Sequence, residues 1–274
     1  MRIACGLLLP DQGSASVVGF DPRQSPRQVR ERIGYMPQRF SLYPDLTVAE
    51  NIRFFADLYG VPRDQFPRLE QRLMQFSRLG EFRNRRAGRL SGGMKQKLAL
   101  SCTLIHTPEL LILDEPTTGV DPVSRREFWR LLRELAGSGM ALLISTPYMD
   151  EAGLCDRIAL MHRGRILAGG TPAQVVGLFT QRLLEVTGPA IRDVRSRFEQ
   201  LELSIPIVRF GNALHLTCAT LGQEAEAIRA LAGLDVQSRP ISPTIEDLFM
   251  AMMEPESDQV IKKARGVMCP HVTL

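Results

Sequence analysis

The segment LLILDEPTTGVDP, residues 110–122, narrows the folds open to this chain more than any other. Leu110, Leu111, Ile112 and Leu113 in a row read as a strand buried on both faces, the texture of a parallel sheet covered by helices. Asp114 and Glu115 follow at its carboxyl end, where open α/β sheets gather their ligand groups. Two adjacent carboxylates there suit magnesium and make half of a nucleotide site. The other half is a glycine-rich loop whose amides and lysine cradle the phosphates.

The rest of the chain alternates in the same manner. IGYMPQ (33–38) reads as a strand. TVAE (47–50) has capping-box spacing, and the helix it opens runs through NIRFFADLYG to Gly60, before Pro62. From there to Leu104 the apolar pattern stays helical, an all-helical insert over about residues 45–105. Asp121 and Pro122 open a helix that closes at Gly137, MALLIS (140–145) is a strand, and RIALMHRGRILAGG (157–170) is a hairpin turning at Arg163 and Gly164. The first ten residues read as the late turns of a helix stopped by Pro10 and Gly13, with a short strand in SASVVGFDP (14–22).

Beyond Thr171 the texture changes. Strand LLEV (183–186) leads to a helix with Ile191, Val194, Phe198 and Leu201 on one face, then strands IPIVRF and ALHLTC around Gly211 and Asn212. A helix from about Gln223 to Leu231, strand LDVQS (234–238) and helix PTIEDLFMAMM (243–253) complete the order βαββαβ of a ferredoxin-like module. The expected organisation is an α/β nucleotide-binding domain over 1–180, a ferredoxin-like α+β domain over 181–253 and a linker or tail over 254–274.

A formal net charge of +4 and a pI near 8.9 are too mild, and the basic residues too scattered, to indicate nucleic acid. The local cluster FRNRRAGRL (82–90) reads as a solvated loop. Cys5, Cys102, Cys155, Cys218 and Cys269 are odd in number and form no CxxC pair, which speaks against a disulfide framework or zinc site and fits a reducing cytoplasm. His106, His162, His215 and His271 lack metal-ligand spacing. No apolar run reaches the roughly 18–20 residues that cross a bilayer. The opening MRIACGLLLPDQG continues into Pro10, Asp11 and Gln12 where a signal peptide would need a small-residue cleavage site.

In LSGGMKQKLAL (90–100), Ser91 can cap a helix while Gly92 and Gly93 let a phosphate approach its amide-rich start. Alone this is a helix cap. Here Gln38 in GYMPQ precedes it, and Asp114, Glu115 and then Asp121 in GVDP follow. The set and its order resemble the ATP-binding subunits of ABC transporters, over the chain to about Met253. That resemblance implies an ABC ATPase core of the P-loop NTPase type, with ATP and Mg2+ as cofactors. It implies that Ser91, Gly92 and Gly93 are the signature completing the ATP site of an opposed ATPase domain, and that Asp121 lies in the loop crossing to that partner. Asp114 would bind magnesium, Glu115 would act as general base, and Gln38 would sense magnesium and the γ-phosphate and relay that to the membrane subunit. Hydrolysis of a phosphoanhydride needs charge neutralisation, an oriented water and exclusion of solvent, and this set serves those needs.

GSASVVGFDP, GYMPQRFSLYPDLTVAENI, LSGGMKQKLALSCTLIHTPELLILDEP and SPTIEDLFMAMM narrow the likeness to the first half of tandem ATP-binding subunits of ABC-2-type exporters, the multidrug kind. The implied partners are a second ABC ATPase domain and an integral-membrane ABC-2-type permease, without nucleic acid. The implied place is cytoplasmic, peripheral at the inner face of the cell membrane.

Three features depart from that pattern. No G-x-x-G-x-G-K-[ST] phosphate loop occurs in the 274 residues. The expectation is that it lies upstream of Met1, before a helix of which MRIACGLL is the remainder, and that this chain alone is inactive. Pro147 in STPYMDEA stands where the resemblance places a switch histidine; proline offers neither a side-chain donor nor a backbone N–H, so this half's own site is expected to turn over slowly. Met94 replaces a common glutamine, with Gln96 nearby, a minor change. Two alternatives stay open: a non-hydrolysing partner lending its Ser91 signature to another ATPase domain, or a truncated inactive fragment. In the tail, VIKKARGVM (260–268) resembles the opening strand of a further ATP-binding domain.

Overall fold

The computed structural model describes residues 1–39 and 41–253, so the tail reading lies outside the described residues. The chain packs into two compact units, Met1–Pro147 and one that begins at Tyr148.

The first unit runs α1 (Pro26–Arg32), β1 (Ile33–Met36), α2 (Val48–Leu58), α3 (Phe66–Ser77), α4 (Gly92–Leu104), β2 (Leu110–Asp114), α5 (Pro122–Gly137) and β3 (Ala141–Ser145). Its strands form one parallel sheet in the order β1-β2-β3, with Ile33 opposite Leu110 and Asp114 opposite Ser145. Parallel neighbours need crossover connections, and α2, α3 and α4 fill the one between β1 and β2. Leu111, Ile112 and Leu113 are fully buried, as an unbroken apolar run requires. On one face Ile33, Leu110 and Ile112 pack with Cys5, Val17 and Val29. Alternation turns Gly34 and Leu111 to the other face, against α4. A Cβ on Gly34 would come within 2.8 Å of Thr103 and 2.9 Å of Leu111, so a bare backbone there sets how closely α4 approaches the sheet.

Local chemistry sets the helix ends. The Thr47 hydroxyl accepts from the Glu50 amide at 3.2 Å, and the Glu50 carboxylate accepts from the Thr47 amide at 2.7 Å, closing the capping box of α2. Asn51, fully buried one turn later, ties the preceding loop: Oδ1 accepts from the Tyr43 amide, and Nδ2 donates to the carbonyls of Tyr43, Leu46 and Thr47.

The first residues differ from the sequence expectation. In place of late helical turns, residues 1–7 form overlapping turns of unequal span, Cys5 N to Met1 O at 3.1 Å, Gly6 N to Ile3 O at 3.0 Å and Leu7 N to Arg2 O at 3.0 Å, and Leu7, Leu8 and Leu9 stay exposed. A helix repeats the four-residue span at each step, and so short a segment makes too few such bonds to offset the cost of fixing its backbone. In place of a strand within 14–22, Val17 and Phe20 exchange backbone hydrogen bonds at 2.8 and 2.9 Å across a two-residue turn. Pro22 has no N–H with which to extend that ladder.

The second unit runs α6 (Met149–Ala152), β4 (Ile158–His162), β5 (Arg165–Gly170), α7 (Pro172–Val176), β6 (Arg182–Thr187), α8 (Asp193–Gln200), β7 (Ile207–Phe210), β8 (Ala213–Cys218), α9 (Leu221–Leu231), β9 (Gln237–Ile241) and α10 (Ile245–Met253). Strands β4 and β5 pair as the expected hairpin, turning at Arg163 and Gly164 with a register shift at Leu160/Met161. The other four form an antiparallel sheet in the order β7-β8-β6-β9. Val194 and Phe198 of α8 and Ala227 and Leu231 of α9 pack with Leu184, Val186, Leu214 and Leu216 of that sheet. Strand β9 starts three residues later than expected, because Leu234 and Val236 pack against that core and pairing with β6 begins only at Gln237, opposite Thr187. Leu160 and Ala168 of the hairpin pack with Val175, Leu183, Leu248 and Met252. The hairpin, which the sequence reading groups with the first domain, therefore shares a core with α10.

Candidate functional site

The parallel sheet delivers three sequence-singled residues to neighbouring strand ends. Gln38 lies two residues past β1, Asp114 ends β2 and Glu115 follows it. Gln38 Nε2 donates to Glu115 Oε2 at 2.8 Å, and the Thr118 hydroxyl donates to the same oxygen at 3.1 Å. Asp114 Oδ1 accepts from the Ser145 hydroxyl at 2.5 Å. Glu115 has φ 49°, a left-handed backbone that costs a residue with a side chain about 1–3 kcal/mol. Its amide donates to both the carbonyl and the hydroxyl of Ser145 at 3.1 Å, which holds it there. The Tyr35 phenol of β1 is pushed up, first by burial and then by the charge of Asp114.

A second group forms at adjacent helix starts. The Ser91 hydroxyl accepts from the Met94 amide at 3.3 Å and caps α4. Gly92 is exposed, and a Cβ there would meet nothing nearer than the Gly119 carbonyl at 4.0 Å. Gly93 is the opposite case, since an added Cβ would lie 2.3 Å from the Ser124 Cβ. Only glycine lets α4 begin against the first turn of α5. Asp121 caps α5, accepting from the Ser124 amide at 2.9 Å and the Val123 amide at 3.1 Å, and these bonds, Ser124's first, hold its carboxyl below the usual range.

Among the described residues no hydrogen bond joins Ser91, Gly92 or Asp121 to Asp114 or Glu115. The structure thus assembles two patches, the carboxylates with Gln38 and the glycine turn with Asp121. Pro147 is exposed, two residues beyond β3. Ser145 and Thr118 belong to the carboxylate patch although no motif singled them out. Ser145 was detectable in principle, because it ends the strand expected at 140–145 and a parallel neighbour of β2 places that end beside Asp114.

The carboxylate patch fits magnesium, since its groups are hard oxygen donors already oriented by hydrogen bonds. The phosphate-cradling half of a nucleotide site is not made by these residues. The described lysines are Lys95 and Lys97; Lys97 pairs with Glu127 at 2.5 Å, and neither bonds to Asp114 or Glu115.

A fold with acidic strand tips and a capped Ser-Gly-Gly helix start marks the class, and the sequence profile of the ABC transporter family matches residues 1–118. The chain belongs to the family of ABC transporter ATP-binding proteins. It is 33% identical over 264 residues to the Nod factor export ATP-binding protein I of Rhizobium etli, covering 94% of this chain and 81% of that protein. It is 42% identical over 257 residues to the probable multidrug ABC transporter ATP-binding protein YbhF of Escherichia coli strain K12, covering 92% of this chain. The chain spans 44% of that relative's length. Among solved structures it is similar to an ATP-binding subunit of an ABC transporter, with 30% identity and TM-score 0.57 over 65% of this chain and 75% of that one. It is also similar to cbiO1 from Clostridium perfringens, part of an ABC transporter complex, with 26% identity and TM-score 0.59 over 73% and 78% of the two chains. Among the described residues no helix is long and apolar enough to cross a membrane.

Proposed function

We propose that this chain is an ATP-binding subunit that energises an ABC-2-type exporter by nucleotide-driven pairing with a second ABC ATPase domain. The observation that carries this reading is the Gln38–Glu115 bond at the strand tips beside Asp114. In it Asp114 holds magnesium, Glu115 takes a proton from the attacking water and Gln38 reports its state to the permease. Ser91, Gly92 and Gly93 present the start of α4 to the partner's nucleotide, with Asp121 alongside. The exporter assignment rests on the names of the Rhizobium and Escherichia relatives, and 44% coverage of YbhF fits one half of a tandem subunit. Residues 181–253, the part of the second unit from β6 onward, are read as a ferredoxin-like accessory domain, supported by the βαββαβ order of β6 to β9 and the β7-β8-β6-β9 sheet. The proposed place is cytoplasmic, peripheral at the inner membrane face.

Because these residues make no phosphate cradle, the 274-residue chain by itself should release no phosphate from MgATP above background. Turnover that disappears in Glu115→Gln would overturn that. The pairing itself is tested by reconstituting the chain with its permease and partner ATPase domain: Ser91→Arg should lower hydrolysis at the partner's site roughly tenfold or more, about 1.4 kcal/mol of barrier. An unchanged rate sinks the assignment.

A second reading, a non-hydrolysing partner that only lends its signature, is favoured by Pro147 and by the lack of a lysine bonded to the carboxylates among the described residues. Glu115→Gln in the same assembly separates the two, being silent in this reading and damaging in the first.

A further inference from the structure

The first unit contains a cleft of about 450 Å³ that the nucleotide reading does not use. Its walls come from the ends of α3 and α5 and the middle of α4. Lys97 of α4 and Glu127 of α5 satisfy one another across it at 2.5 Å. Arg72, Arg78 and Arg130 also line it, and none of the three has an ion-pair partner among the described residues. Arg78 sits at the left-handed C-cap of α3, which turns the chain there. The Glu127 carboxyl is held low first by Lys97, then by Arg130 and Arg78, so these cations converge on one point. Among the described residues Glu134 is the only other carboxylate in the lining, which leaves two more cations than anions.

The remaining wall is apolar. Leu131 is buried, Phe76 is half-buried, and both line the cleft with Leu135. The volume falls in the range of small-molecule sites, roughly 300–1,000 Å³. Guanidinium forks match the paired oxygens of phosphate or carboxylate, and an apolar wall beside them suits a ligand with an apolar body. We propose that this cleft binds a small organic anion in which a phosphate or carboxylate head is joined to an aromatic or aliphatic body.

Calorimetric titration of the full chain with phenyl phosphate, benzoate, inorganic phosphate and benzyltrimethylammonium tests this. Phenyl phosphate or benzoate should bind saturably, and which of them binds more tightly identifies the head group. Inorganic phosphate should bind at least tenfold more weakly, about 1.4 kcal/mol, and the cation should not bind. The double variant Arg78→Gln/Arg130→Gln, at exposed positions and with an unchanged melting temperature, should weaken binding at least tenfold. Glu127→Gln releases Lys97 and should tighten it. Absence of saturable binding by both organic anions up to about 10 mM overturns the site. So does a double variant that binds like the parent, or inorganic phosphate binding as tightly as the organic anions.

Discussion

Gln38 donates its side-chain amide to Glu115 at 2.8 Å, joining the ends of two strands whose bonded residues are 77 positions apart. Replacing the amide by a carboxylate tests whether that contact is held in solution. Gln38→Glu sets two negative charges against each other, and each then favours the other's protonated form. Both groups keep some solvent contact, so the loss should be modest, about 0.5 kcal/mol at pH 8. It should vanish near pH 4, where carboxylates take up protons. Urea midpoints of variant and parent at the two pH values give the answer; an equal difference at both would show that the two side chains do not meet.

The approach of α4 to α5 depends on Gly93. Gly93→Ala should destabilise the protein by about 1–3 kcal/mol, the usual cost of forcing an extra methyl into a packed contact. Ser124→Gly removes the atoms the new methyl would strike, so the double variant should recover much of that loss. Strictly additive effects in denaturant titrations would mean that the two helix starts are not in contact.

His106 supplies a pH dependence. Its Nε2 lies 3.0 Å from the Ile33 carbonyl and carries the proton, while the buried Nδ1 has no partner among the described residues and the ring stacks on Tyr59 at 4.0 Å. Burial lowers its pKa, with the bond to Ile33 opposing. The unfolded chain protonates this residue near pH 6.5, whereas the folded chain resists until lower pH. Stability from this group is therefore present above pH 6.5 and declines as the pH falls below it. The urea midpoint should drop between pH 7.5 and 5.5, and by less in His106→Gln. Parallel declines in parent and variant would remove His106 as the cause.

In the second unit, His215 Nδ1 and Asp247 Oδ1 lie 2.6 Å apart, both side chains buried, and Asp247 Oδ2 accepts from the amide and hydroxyl of Thr244. These bonds fasten the start of α10 to β8. Asp247→Ala leaves three donors without an acceptor and should cost about 3 kcal/mol. Asp247→Asn, which keeps one carbonyl oxygen, should cost less. Thermal unfolding of both variants orders them, and Asn behaving as badly as Ala would show that charge matters here more than acceptor geometry.

Most elements were legible because their causes are local. The capping box at Thr47 and Glu50, the Asp121 cap of α5 and the buried run of β2 each lie within a few residues, so period and spacing identify them. Three elements differ from the pattern: the turns at 1–7, the two-residue turn at Val17 and Phe20, and the start of β9. At β9 the burial of Leu234 and Val236 against the core of the sheet outweighs local pattern, whereas at 1–7 and 17–20 the short apolar runs resemble a helix and a strand but lack the successive hydrogen bonds that would extend them.

The same division runs through the candidate site. The sequence by itself determined the chemistry available: two carboxylates at a strand end, a glutamine after another strand, a Ser-Gly-Gly helix start and no phosphate loop among these residues. Only the tertiary structure decided that Gln38 meets Glu115, that Ser145 orients Asp114, and that Gly93 has no room for a side chain because Ser124 faces it. Residue identity sets which bonds a group can make, whereas strand register and helix packing set which groups come within about 3 Å of each other.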